Sequence, residues 1–166
     1  MRNLIAFPLL AGAVILQSAV VSRVALLSGY ADLVFIVLSA WALQTQVQSA
    51  WHWAVLGSIM VGFVTRLPWP VVVAGYLTVV FLARVLQQRV WQAPLLAMFS
   101  VVFLGTIFTH VLSFAALRLS GVPLRFNDVL GLITLPSLLL NLLLAAPLYA
   151  VMRDIAHWVY PEQTSE

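Results

Sequence analysis

PLLAMFSVVFLGTIFTHVLSFAAL, residues 94–117, runs for 24 positions without an acid, a lysine or an arginine. As a helix rising about 1.5 Å per residue it reaches about 36 Å, more than the hydrocarbon core of a bilayer, about 30 Å thick. Such a run reads as a transmembrane helix. Its neighbours read the same way. Before it stands Trp69 to Leu86, opened by Pro68 and Pro70, which suit a helix's first turn. After it stands Leu135 to about Arg153, with Pro136 in the first turn and Pro147 expected to kink the helix. Further out lie Trp51 to Val64, Asp32 to Leu43, and Leu4 to Val21. The second of the six spans is short, and reaches a crossing length only if Leu27 to Ala31 joins it. Leu4 to Val21 is read as a retained span rather than a secretory signal, because another apolar segment follows Arg23. The expected fold is an all-α integral membrane protein with six transmembrane helices: a single polytopic domain over 1–158 and a short flexible tail over 159–166.

The composition agrees with this reading. Of 166 residues 63% are hydrophobic and 8% charged, against about 45–50% and about 25% in soluble domains, and the mean hydropathy is +1.07. Too few polar residues remain to cover a soluble globule of this size. The basic residues are all arginine, at 2, 23, 66, 84, 89, 118, 125 and 153, scattered between apolar runs. A nucleic-acid site needs them on one face, so nucleic acid is not an expected partner despite the pI near 10.0. They read as helix-end anchors that snorkel to the headgroups. Trp41, Trp51, Trp53, Trp69, Trp91 and Trp158 all fall near span ends, where indole rings favour the interface. Four arginines fall at each end of the bundle, so charge does not decide its orientation. The absence of cysteine excludes disulfides and thiolate chemistry.

Few residues offer chemistry. Asp32 stands at a span start, where it can cap free amides or contact a partner or ligand, with Arg23 or Arg66 as its expected mate. Thr106, Thr109, His110 and Ser113 share one face of the fifth helix. That polar stripe serves interhelical hydrogen bonding or lines a small polar cavity with His110 as its titratable member. Asn141, at mid-depth in the last helix, needs a partner within protein. Ser58 and Gly62 form a small-xxx-small pair that permits close helix approach. The polar break 118–134 holds Arg118 and Arg125, with Asn127 expected to cap a short helix from Asp128 to Ile133. His52 and His157 lack a ligand set, and there is no phosphate loop, nucleophile elbow or HExxH. Neither an enzyme nor a metal or other cofactor is expected.

Ala31-Asp32-Leu33, the glycine-containing third span Gly57 to Gly62, and Asn141 to Pro147 and Tyr149 together resemble the MreD family of the bacterial elongasome. Two positions depart from it: Ala31 stands for the usual proline, and Arg66 follows Gly62 where an acid is common. The resemblance implies a cytoplasmic (inner) membrane protein with both termini cytoplasmic and a bundle similar to the S components of energy-coupling-factor transporters. It implies a non-catalytic scaffold that binds MreC and, less directly, MreB, RodA and a class B penicillin-binding protein, and so regulates cell shape and peptidoglycan synthesis. Ser58, Gly62, Arg66, Arg118 and Arg125 are then the expected partner-binding residues. The S-component likeness leaves an alternative, a small-solute-binding subunit using Asp32, the fifth-helix stripe and Asn141.

Overall fold

A computed structural model describes residues 5–89 and 93–161. The described residues are all-helical: α1 (Ala6–Ala19), α2 (Leu33–Ala42), α3 (Ala50–Val64), α4 (Trp69–Arg89), α5 (Pro94–Leu119) and α6 (Phe126–Val159). Three of them, α4, α5 and α6, are long and apolar enough to cross a membrane. The others, of 14, 10 and 15 residues, are shorter than the roughly 17–25 that a crossing takes. The six expected crossings thus reduce to three helices that meet the length requirement alone.

Helix α2 explains how the short elements are used. All ten of its residues are buried, and α1, α3, α4, α5 and α6 all pack against it. A helix that is apolar on every side belongs either in lipid or inside protein, and here it is the inner rod of the bundle. Gln17 near the end of α1 reaches Val34 at the start of α2, Trp41 at the end of α2 stacks on Trp53 in α3, and Gly62 late in α3 meets Trp69 opening α4. Gly105 of α5 packs on Phe35, Asn141 of α6 on Asp32, and Tyr160 on Trp41. Successive helices therefore alternate in direction. The start of α1 and the end of α6 share one end of the bundle, the Trp41 end, opposite the Asp32 end.

Trp41 and Trp53 correct the interfacial reading of the tryptophans. Both are buried, with ring centroids 4.2 Å apart, whereas Trp51, Trp69 and Trp158 are exposed. Trp91 lies outside the described residues, as do Arg2 and residues 162–166 of the tail. In the connection 44–49 between α2 and α3, Gln44, Val47 and Ser49 are buried while Thr45 and Gln48 are exposed.

The short helix expected over Asp128 to Ile133 is instead the first part of α6. A helical turn at Phe126–Asp128 continues through a π-helical stretch, Val129–Thr134, into Leu135–Val159. Asn127 does not cap it; Arg125 occupies the N-cap position without a side-chain bond. Pro136 lies mid-helix rather than at a start. Having no N–H, it cannot donate to the Leu132 carbonyl one α-turn back. The stretch widens there, with Leu135 N–H bonding to Leu130 O, and Leu132 O instead accepts from Ser28 N–H at 3.0 Å. Pro136 thus ties the α1–α2 connection to α6.

Candidate functional site

A helix buried within a bundle must have both its polar ends satisfied by protein, because neither water nor lipid serves them. At the start of α2, Asp32 caps through Oδ1, which accepts from Phe35 N–H at 3.0 Å. Tyr76 of α4 donates its hydroxyl to the same carboxylate, at 3.0 Å to Oδ2 and 3.2 Å to Oδ1. The Gln17 side chain accepts from Val34 N–H at 3.2 Å and also bonds to the carboxylate. Asp32 N–H donates to Asn141 Oδ1 at 2.8 Å, and Asn141 Nδ2 donates to Thr106 Oγ1 at 3.0 Å. One turn earlier on α6, Ser137 Oγ accepts from Tyr30 N–H at 3.1 Å. Five helices thus meet around Asp32: α1, α2 and α4 at its carboxylate, α6 at its N–H, and α5 through Asn141.

At the other end of α2, Gln44 Nε2 donates to Ala40 O at 2.9 Å and Gln87 Nε2 donates to Leu43 O at 3.2 Å. Arg84 donates to Val47 O just beyond. Arg84, read as a headgroup anchor, is half-buried and holds the connection between α2 and α3. The two sets differ in kind: among the described residues, only the Asp32 end places a carboxylate against the bundle's helices.

Of the residues expected at a polar cavity, the structure joins Asp32, Asn141 and Thr106 by direct hydrogen bonds. Thr109 turns its hydroxyl back to Gly105 O and Thr106 O, at 2.9 and 3.0 Å, and Ser113 bonds to Thr109 O at 2.7 Å. His110 Nδ1 lies 3.1 Å from Thr134 Oγ1, on the π-helical stretch of α6. His110 and Thr106 thus fasten α5 to α6, while Thr109 and Ser113 spend their polarity on α5's own carbonyls. The expected mates Arg23 and Arg66 are exposed and form no described bond to Asp32. Tyr76 and Gln17 take that place, and neither was singled out in the sequence. A tyrosine within an apolar helix and a glutamine late in the first span are signals of the same kind as Asn141: polar groups in a span that need a protein partner.

The expected partner-binding residues fall into two groups. Ser58 is buried with its hydroxyl on Val55 O, and Gly62 lies beneath the Trp69 ring, so both serve packing within the chain. Arg66, Arg118 and Arg125 are exposed at the Asp32 end, with Arg118 donating to Leu124 O at 2.6 Å. Among the described residues no group of three or more histidines and acids is placed to hold a metal.

Asn141 has a measurable structural role. Asn141→Leu keeps the branched shape but leaves the part-buried Asp32 N–H without an acceptor and Thr106 Oγ1 without a donor. The expected loss is about 2 kcal/mol, from two modest hydrogen bonds between packed helices and one stranded amide. Denaturant titration in detergent micelles would check it, and a loss below about 0.5 kcal/mol would show these bonds to be dispensable.

No family model, curated protein or solved structure matches the chain.

Proposed function

We propose that the protein is a non-catalytic membrane scaffold of the MreD type, crossing the bacterial cytoplasmic membrane as a six-element bundle with both termini in the cytoplasm. The observation that carries this reading is the bond between Asp32 N–H and Asn141 Oδ1. It joins the two sequence segments on which the resemblance to MreD rests, Ala31 to Leu33 and Asn141 to Tyr149. Those segments meet in a packed polar knot whose groups are taken up by one another, which suits a structural core better than a solute site. The alternating helix directions and the shared end for α1 and α6 fit cytoplasmic termini and the S-component-like bundle.

A scaffold with little mass outside the membrane acts through its sides. Ser58 and Gly62 support that surface from within, shaping α3 against α2 and α4, while Ile59 and Phe63 of α3 are exposed. On this reading the partner is the single transmembrane helix of MreC, and MreB, RodA and a class B penicillin-binding protein are reached through it. Arg66, Arg118 and Arg125, exposed at the Asp32 end, then border the MreC helix at the level of the headgroups. The test is co-purification from membranes of cells expressing both proteins, with Ile59→Ala/Phe63→Ala as the variant. MreC is expected to be retained by the wild type and recovered at least several-fold less with the variant. Absence of a complex with the wild type would overturn the proposal, and equal recovery would move the interface off α3.

A further inference from the structure

The α5–α6 connection and the start of α6 form an elbow beside the α1–α2 connection. Between them opens a groove walled by Ser28, Pro123, Leu124, Arg125, Asp128 and Leu132. Two guanidiniums stand at this elbow. Arg125 lines the groove, and Arg118 is fixed beside it by its bond to Leu124 O. Asp128 is the one carboxylate in the groove wall, and among the described residues neither arginine is ion-paired with it; the described ion pair is Arg153–Asp154 at the far end. The elbow therefore carries two cations against one anion.

Below the arginines the wall is apolar and continues down α6. Leu132, Leu135, Leu139 and Leu143 are all exposed; the last three, four residues apart on α-helical backbone, form a stripe on one face, and Leu132 in the groove wall stands above them. Leu132 and the stripe together cover about 16 Å along the axis, half of a hydrocarbon core about 30 Å thick, which is the depth of one leaflet. Helix α5 at 26 residues exceeds that core, which sets Arg118 in its last turn at the level of the headgroups.

We propose that this groove is a binding site for an anionic phospholipid of the surrounding bilayer, with the phosphate on Arg118 and Arg125 and an acyl chain along the apolar wall from Leu132 to Leu143. The match is one of charge and length together. Two arginines at headgroup height attract a phosphate, and guanidinium geometry suits paired phosphate oxygens. A zwitterionic lipid carries a cation that the same arginines repel.

The test uses the full-length protein in detergent, with thermal unfolding followed during titration by dioleoyl phosphatidylglycerol or by dioleoyl phosphatidylcholine. Phosphatidylglycerol is expected to raise the unfolding temperature at an about tenfold lower concentration than phosphatidylcholine. Arg118→Gln/Arg125→Gln should abolish that preference and Arg153→Gln should keep it. Arg125→Gln alone, which leaves the Arg118 bond to Leu124 intact, should reduce it and serves if the double variant misfolds. Glycerol phosphate, the headgroup without chains, should produce no shift. Equal response of the wild type to the two lipids, full preference retained in both arginine variants, or an equal response to glycerol phosphate would each overturn the proposal.

Discussion

Asp32→Ala is expected to destabilise the protein by about 4 kcal/mol, a large share of the about 5–15 kcal/mol that holds a typical fold together. The carboxylate accepts from Phe35 N–H and from the Tyr76 hydroxyl, and both donors sit on buried residues. Alanine leaves each of them unpaired, at about 1–3 kcal/mol apiece. Water makes up little of the loss, because Phe35 and Tyr76 are buried. Asp32→Asn should cost much less, since its amide oxygen can still cap Phe35 and the Tyr76 hydroxyl can turn to accept from its amide nitrogen. Tyr76→Phe removes the same bond from the other side. In the double variant Asp32→Ala/Tyr76→Phe the losses should fall short of their sum by about 1 kcal/mol or more, as the hydroxyl stranded by the first change is deleted by the second. Unfolding by SDS titration from mixed micelles, followed by tryptophan fluorescence, measures the four variants against the wild type. An alanine variant within about 1 kcal/mol of the wild type would show that Asp32 does not hold the cluster together.

That cluster was half legible. An aspartate ahead of an apolar run signals a helix cap, and Asp32 is one. Asn141 and Thr106 were visible as polar residues in need of partners, although no sequence rule said they would find each other. Tyr76 was silent, because a tyrosine among valines and leucines fits interface, core and lipid alike. The same degeneracy hid the nature of α2. An unbroken apolar stretch is equally at home in hydrocarbon or within protein, and periodicity cannot separate the two when no polar face exists. Its length was the available clue, ten residues being too few to cross. The long helices α4 and α5 were readable because 20 or more apolar residues have almost no other fate. The π-helical stretch was not readable: Pro136 looks like a helix start but lies mid-helix, where Ser28 N–H satisfies the Leu132 carbonyl that proline cannot.

Gly29→Ala tests that junction and is expected to cost about 3 kcal/mol, at the upper end for a single added methyl. A Cβ at position 29 would stand 2.6 Å from Ile133 O, 2.7 Å from Ser137 N and 2.8 Å from Ser137 Oγ. Two of those three atoms belong to the α6 backbone, which cannot swing aside as a side-chain tip does. Relief therefore requires the α1–α2 connection to move off α6, stretching the bonds from Ser28 N–H to Leu132 O and from Tyr30 N–H to Ser137 Oγ. Asp32 follows three residues later, so the same shift loosens its contact with Asn141. Gly12→Ala is the matched control: a Cβ there meets nothing within 4 Å, and within α1 the change should be neutral or stabilising by up to about 1 kcal/mol. The two substitutions add the same atom, so the contrast between them isolates the close approach of two backbones. If Gly29→Ala unfolds together with Gly12→Ala in the same titration, the α1–α2 connection is not held tightly against α6. The Asp32–Asn141 bond would then lack the frame that places its two ends together.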